Sequence, residues 1–175
     1  MRKIAFLAVC TLLAGPALAQ SVGEKTGINS VLGISPTTPD FVKQAAISDM
    51  FEIESSKLAA QKAPDGPVKD FANQMVTEHT KTSTELKSAV ANDPKSPIPT
   101  AMDDAHKDMI TKLNGLNGAE FTEEYVDMQV DAHQNAVSLF ERYAKGGDSE
   151  SLKAWAGKTL PSLQHHLEMA KALDK

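Results

Sequence analysis

The feature that most constrains the fold of this chain is a series of long segments in which apolar side chains recur at steps of three and four residues. Residues at such steps share one face of an α-helix, which can then be buried against neighbouring helices. No segment shows the alternation of apolar and polar residues that is typical of a half-buried strand. The pattern therefore predicts an all-α fold. Its clearest example spans residues 67–91, with the repeating positions Val68, Phe71, Met75, His79, Thr82, Leu86 and Val90.

Glycine and proline residues divide this pattern into four long helices and one short helix. We predict long helices at about residues 38–62, 67–91, 120–145 and 149–173, and a short helix at about residues 101–114. Amphipathic helices of this length bury their apolar faces together, so the predicted fold class is an all-α four-helix bundle. The short helix lies in the connection between the second and third long helices. Two topologies stay open, one with helices that alternate up and down and one in which the short helix returns along the bundle as a crossover.

The first residues of the chain have the pattern of a Sec-type signal peptide. Residues 1–3 are basic, residues 4–14 are apolar, and residues 17–19 supply the small side chains of a cleavage site. This order is typical of an export signal, and the apolar stretch is too short to span a bilayer. We predict that residues 1–19 are removed by cleavage after Ala19. The mature protein would then be periplasmic or extracellular.

The rest of the chain divides into two parts. Residues 20–37 are rich in Ser, Gly and Thr and are predicted to form a flexible leader, and residues 38–175 form the helical bundle domain. The only cysteine, Cys10, lies in the signal peptide. Because the mature chain would have no disulfide, its stability must come from the packed core, which a domain of this size can supply.

The charge balance limits the classes of partner. The chain has 18 Lys and Arg residues against 23 Asp and Glu residues, a net charge of −5, and loss of Arg2 and Lys3 with the signal peptide makes it more acidic. An acidic chain without basic runs is unsuited to nucleic acid or to an anionic membrane surface. No later stretch of the mature chain is long and apolar enough to be a transmembrane segment. The partners that we expect are an envelope protein or a second copy of this chain.

Three histidines stand in the apolar stripes of three different predicted helices. They are His79, His133 and His166, and their apolar neighbours lie three, four or seven residues away. At a rise of about 1.5 Å per residue, all three fall near the middle of their helices in either topology. We therefore expect the three imidazoles to meet inside the bundle.

A carboxylate on the first long helix could complete this cluster. Glu54 shares a helical face with Phe51 and Leu58, so we expect it to point inward. Glu52 lies about 200° away from Glu54 on the helical wheel and is kept as the alternative carboxylate.

The cluster has two interpretations. Three imidazoles and one carboxylate form a ligand set suited to one transition-metal ion (Zn, Cu, Fe or Mn), held by Glu54, His79, His133 and His166. Alternatively, the histidines form a hydrogen-bond network in the core. A ferroxidase-type di-iron centre is disfavoured because the sequence contains no Glu-x-x-His motif. Serine-nucleophile, phosphate-loop and Cys-based redox motifs are also absent, so no catalytic residue is predicted and an enzymatic function is disfavoured.

Four segments occur together in an order that resembles a known family. The segments are Phe51-Glu-Ile-Glu-Ser-Ser-Lys-Leu-Ala59, Met75-Val-Thr-Glu-His79, Gln129-Val-Asp-Ala-His133 and Thr159-Leu-Pro-Ser-Leu-Gln-His-His-Leu167. Over about residues 40–173 the chain resembles the exported bacterial family known as domain of unknown function 4142, whose members are often labelled "predicted outer membrane protein". The resemblance implies a ferritin-like bundle, an envelope location and functional positions at Glu52, Glu54, His79, His133 and His166. It implies no established reaction.

Two main functions follow as expectations, and an oxidoreductase is kept as a third alternative. The first is an exported periplasmic, ferritin-like helical bundle that binds one transition metal through an inward His/Glu cluster in an envelope or stress role. The second is a non-enzymatic structural or protein-binding module of the envelope, in which the histidines only form a core hydrogen-bond network.

Overall fold

The protein is described by a computed structural model that covers Gly23, residues 27–64 and residues 66–174. This part of the chain contains six helices and no strand. The predicted all-helical bundle is therefore confirmed for the described residues. The predicted signal peptide at residues 1–19 and part of the leader lie outside them. In chain order the helices are α1 (Ile28–Val31), α2 (Thr38–Lys62), α3 (Pro67–Ala89), α4 (Asp104–Gly115), α5 (Gly118–Gly146) and α6 (Glu150–Leu173).

The helix ends follow local chemistry. At the start of α2, the Thr37 side chain accepts a hydrogen bond from the backbone N–H of Asp40, which satisfies one of the free donors of the first turn. The helix ends at Lys62, before Pro64. Helix α4 begins three residues later than predicted because Asp103 is its N-cap and accepts a hydrogen bond from the backbone N–H of His106. The other boundaries of the long helices lie within about two residues of the predictions.

Contacts between side chains define the directions of the long helices. Ser56 contacts Tyr125 near the end of α2, and Thr38 contacts Tyr143 near its beginning, so α2 and α5 are antiparallel. Consecutive helices α2 and α3 are packed together, as are α5 and α6, and α3 also packs against α6. Helices α3 and α5 therefore point the same way. The connection between them, which contains α4, runs the length of the bundle as a crossover, which selects the second of the two predicted topologies.

The buried core has three zones along the bundle axis. At one end is the first apolar cluster, and its larger members are Phe41, Val42, Leu86, Phe140, Tyr143, Leu152 and Leu163. At the other end is the second apolar cluster, with Phe51, Phe71, Met75, Leu113, Phe121, Tyr125 and Ala170. Between them each long helix contributes buried polar side chains, which we call the polar layer: Asp49, Glu52, His79, Gln129, His133 and His166. The two apolar clusters hold the helices that position this layer.

The described part of the predicted leader lies against α5. Ser30 of α1 forms a hydrogen bond with Ser138, and Arg142 donates a hydrogen bond to the backbone carbonyl of Ile34. The flexibility of residues 20–37 stays a prediction. No helix among the described residues is long and apolar enough to cross a membrane.

Candidate metal centre

The structure brings the three predicted histidines together in the polar layer. His79 lies on α3, His133 on α5 and His166 on α6, and all three are buried. Their ring centroids form a nearly equilateral triangle with separations of 5.4 to 5.5 Å. One nitrogen atom from each ring lies within 4.8 Å of the chosen nitrogens of the other two. This is a spacing that one metal ion could bridge after small side-chain movements.

Each histidine reaches this position because it lies in the buried stripe of its helix. His79 follows the buried Met75 by four residues, and His166 precedes the buried Ala170 by four. Residues four apart lie on the same face of a helix, so the packing of these neighbours directs both imidazoles inward. His133 follows Gln129, another buried residue of the polar layer, at the same spacing.

One nitrogen of each ring is held by a hydrogen bond within the fold. His79 Nδ1 donates to Asp49 Oδ1 at 2.8 Å, and Thr82 Oγ1 donates to the same oxygen at 2.9 Å. His133 Nδ1 donates to the backbone carbonyl of Gln129 at 2.8 Å. His166 Nε2 donates to Glu78 Oε2 at 2.7 Å. These bonds fix the ring orientations and leave the opposite nitrogen of each ring available for another partner.

The opposite nitrogens are buried without a partner. His79 Nε2, His133 Nε2 and His166 Nδ1 have no hydrogen-bond partner among the described residues. A buried polar atom that lacks a partner costs about 1–3 kcal/mol, so three in one place are a feature that needs an explanation. The chemistry of the three atoms suits a metal ion, because neutral imidazole nitrogen is the commonest metal ligand in proteins.

The protonation states of His133 and His166 support the availability of their nitrogens, whereas the charged form of His79 has to give up a proton to bind a metal ion. Burial lowers the pKa of His133 to about 3, and the charge of His79 adds to the effect. Burial also lowers the pKa of His166 to about 4, against the opposing hydrogen bond to Glu78. Both rings are therefore neutral at pH 7. Burial lowers the pKa of His79 too, but the hydrogen bond to Asp49 and the charge of Glu52 outweigh burial and raise that pKa above its usual value.

Glu52 is the carboxylate that the structure places beside the histidines. Its side chain is 1% exposed, and Oε1 lies 3.8 Å from His133 Nδ1. Neither carboxylate oxygen has a hydrogen-bond partner in the described part of the protein. Burial raises the pKa of Glu52 to about 7, although the nearby His79 partly offsets this effect. The atom of His133 that Glu52 approaches is Nδ1, which already bonds to the Gln129 carbonyl, so Glu52 lies beside the three inner nitrogens and not among them.

Glu54 does not face inward as the sequence pattern predicted. Its side chain is half exposed and forms an ion pair with Lys57 at 2.9 Å. The buried face of α2 runs through Asp49, Glu52 and Ser56, which are polar. Because Phe51 and Leu58 lie at the edge of that face, their apolar character suggested the wrong side of the helix. The expectation that Glu54 points into the cluster is therefore wrong, and the alternative carboxylate Glu52 occupies the inward position.

Sequence reasoning also missed the groups that hold the imidazoles from outside. Asp49 lies three residues before Glu52 and so shares its helical face, a spacing that could have identified it. Glu78 is adjacent to His79 in the sequence, so helical spacing alone places it on another face of α3. In the structure it accepts the hydrogen bond from His166 on α6. The neighbouring helix that makes this carboxylate relevant cannot be identified from spacing on α3 alone.

Comparisons with known proteins agree with the helical fold. The family model described as "Domain of unknown function (DUF4142)" matches residues 24–173. The solved structure "CopM in the Cu(II)-bound form" is similar with a TM-score of 0.67 and 18% sequence identity, over 81% of this chain and 97% of that chain. No curated protein matches the sequence. At this identity the structural likeness supports the fold alone.

Proposed function

The chain belongs to the DUF4142 family, and from this premise we propose that it is a metal-binding helical protein whose polar layer holds one transition-metal ion. The observation that carries the proposal is the set of three buried ring nitrogens, from three helices, that lie within 4.8 Å of one another. Each of these histidines is fixed through its other nitrogen and has its inner nitrogen free of hydrogen bonds within the described residues. A bound ion would satisfy all three atoms at once.

The proposed ligands are His79, His133 and His166, with Glu52 as the neighbouring carboxylate. Three imidazoles and a carboxylate suit zinc, copper, iron or manganese, and the site offers no thiolate that would select a softer ion. The similar solved structure is of a Cu(II)-bound protein, so Cu2+ is the first ion to test. Asp49 and Glu78 would act on the ion only through the histidines that they hold, as carboxylates behind metal-bound imidazoles commonly do.

The architecture supports a ferritin-like four-helix bundle that has a different site from that of the ferritins. A single long crossover between the second and third long helices is typical of ferritin-like folds. A ferroxidase centre needs paired Glu-x-x-His motifs, which this sequence lacks. We therefore propose a binding function rather than catalysis by a di-iron centre.

The location of this function is a separate proposal. The basic, apolar and small-residue order of residues 1–19 supports export and cleavage after Ala19, with a role in the envelope or in its response to stress. N-terminal sequencing of the protein recovered from the periplasm should begin at Gln20. Recovery of the uncleaved chain from the cytoplasm would contradict the proposed export. It would not affect the proposal of a metal site.

A copper titration with a matched pair of histidine variants tests the metal site. Protein stripped by a chelator and dialysed against Cu2+ should bind about one equivalent, consistent with one site of three imidazoles. His166→Ala should weaken binding by more than about 100-fold, since loss of a mere outer partner already costs about 10–100-fold. His165→Ala is the control, because this exposed neighbour lies outside the cluster. Wild-type protein that binds no metal, or His166→Ala protein that binds like wild type, would contradict the proposal.

One observation favours the structural alternative. Each histidine already has one hydrogen bond within the fold, to Asp49, Glu78 or the Gln129 carbonyl. If the three histidines serve only to stabilise the core through these hydrogen bonds, histidine variants should lose stability. No metal ion should then raise the melting temperature of the wild-type protein. A rise of the melting temperature with one equivalent of Cu2+, absent in His166→Ala, decides for metal binding.

A further inference from the structure

A pocket between α3 and α6 reaches the polar layer from solvent. It has a volume of about 380 Å3, and its lining includes His79 and His166 of the candidate metal centre. Ser162, one helical turn before His166 on α6, lies exposed in the same lining. His133 does not line the pocket, so it lies behind the two histidines as seen from this side.

Two other cavities of the protein do not reach the three histidines. The groove between α2 and α5 is lined by Ile47, Phe51 and Ala136, among others, and by none of the three. The pocket at the N-terminal end of α5 also includes none of them. On the α2–α5 side, Phe51 lines the groove and is 1% exposed.

The pocket leads to atoms that are suited to receive a cation. His79 Nε2 and His166 Nδ1 are buried, and neither has a hydrogen-bond partner in the described chain. Both residues belong to the pocket wall. An ion that arrives through the pocket would therefore meet two ring nitrogens without partners first, and the third, on His133, after one further step inward.

We propose that the pocket between α3 and α6 is the port through which a divalent metal ion enters and leaves the polar layer. The inference rests on the proposed function and extends it, because a port makes the bound ion exchangeable with solution rather than sealed in during folding. The protein then acts as a reversible metal carrier or buffer. A sealed structural ion would be released only when the bundle unfolds.

Charged residues at the mouth of the port set the rate of this exchange. Glu78 and Glu85 attract a cation, whereas Lys81 and Lys158 oppose it. Charges at the mouth of a cleft change association rates, and added salt screens the effect. Lys158 is exposed on α6, so its charge can be reversed without disturbing the core.

The first experiment narrows the port. Ser162→Phe places an aromatic ring in the lining, and Ser151→Phe makes the same change at an exposed serine of α6 outside the pocket. Stopped-flow quenching of Trp155, the only tryptophan, by Cu2+ gives the association rate, and mixing of the loaded protein with EDTA gives the release rate. Ser162→Phe should slow both rates by roughly tenfold or more and leave the dissociation constant unchanged. Ser151→Phe should match wild type.

The second experiment changes the charge at the mouth of the port and places no bulky side chain in the pocket. Lys158→Glu is compared with Lys171→Glu, an identical charge change roughly 20 Å away along α6. At low ionic strength Lys158→Glu should bind Cu2+ severalfold faster than Lys171→Glu, and high salt should abolish the difference. This comparison decides the matter if Ser162→Phe fails to fold.

The outcomes separate the two proposals. Wild-type protein that binds no Cu2+ overturns the metal site and the port together. Copper binding with wild-type rates in a folded Ser162→Phe protein, or with equal rates in the two lysine variants, overturns the port and leaves the metal site standing. Copper that is released only at the rate of unfolding also overturns the port.

Discussion

The first apolar cluster and the polar layer are both buried, but their polar atoms have different surroundings. In the first apolar cluster, the rings of Phe41 and Tyr143 stack with centroids 3.9 Å apart, and the Tyr143 hydroxyl contacts Thr38. In the polar layer, both oxygens of Glu52 and one nitrogen of each histidine have no hydrogen-bond partner among the described residues. The first region contributes stability, whereas the second reduces it in the metal-free protein. Buried polar atoms without partners are typical of functional sites, where proteins give up stability.

The largest expected effect comes from the first apolar cluster. Phe41→Ala removes a fully buried ring and should lower the free energy of unfolding in urea by about 3–5 kcal/mol. Because Phe41 lies two turns of α2 from Asp49, the folded variant should bind Cu2+ as wild type does. Leu32→Ala, at a position 65% exposed, is the control and should change stability by less than about 0.5 kcal/mol. A folded Phe41→Ala protein with weakened copper affinity would show that the two regions are not separable.

The pH dependence of stability should be set by the polar layer. In the metal-free protein the pKa values of His133 and His166 are lowered to about 3 and about 4. Below pH 6.5 the unfolded chain therefore binds two protons that the folded chain does not bind. The pKa of Glu52 is raised to about 7, so the folded chain binds one proton that the unfolded chain takes up only near pH 4.5. His79, with its raised pKa, is protonated in both states in this window. The net difference is one proton.

Stability should therefore fall by about 1.4 kcal/mol per pH unit between pH 6.5 and 4.5, which urea unfolding at several pH values measures. Glu52→Gln removes the opposing proton and should make the fall roughly twice as steep. A stability that is flat over this window, or that rises as the pH falls, would contradict the buried neutral state of the two histidines.

A smaller effect distinguishes the two glutamates of α2. Glu52→Met replaces a buried carboxyl that lacks a partner by an apolar group of similar size, and should raise the stability of the metal-free protein by about 1–3 kcal/mol. Glu54→Met, at the half-exposed position, should change it by less than about 0.5 kcal/mol. Thermal unfolding without and with Cu2+ checks both variants. A destabilised Glu52→Met protein would mean that the carboxyl has partners that stabilise the fold.

A comparison of the buried faces of α2 and α3 explains how much of the site could be predicted from the sequence. The stripe of α3 is apolar around Met75 and Leu86, so its buried face, and with it His79, could be identified from spacing alone. The buried face of α2 carries Asp49, Glu52 and Ser56, and periodicity of apolar residues cannot recognise a polar seam. For this reason Glu54 was predicted as the carboxylate ligand and Glu52 only as the alternative.

Other parts of the site depend on which helices become neighbours. The meeting of the three histidines followed from their depth, which is the same in both topologies. The hydrogen bond between Glu78 and His166 joins α3 to α6, and the crossover that sets this pairing has no signal in the sequence beyond the length of the connection. Long-range pairings of this kind require the packed structure.

The most direct test of the metal centre is pulsed electron paramagnetic resonance of the protein loaded with one equivalent of Cu2+. Samples made with natural and with 15N-labelled histidine identify the ligands, because only histidine nitrogens change their signals. We expect one copper species with three imidazole ligands. A spectrum with no histidine coupling, or with a single imidazole from an exposed histidine, would contradict the claim that His79, His133 and His166 hold the ion together.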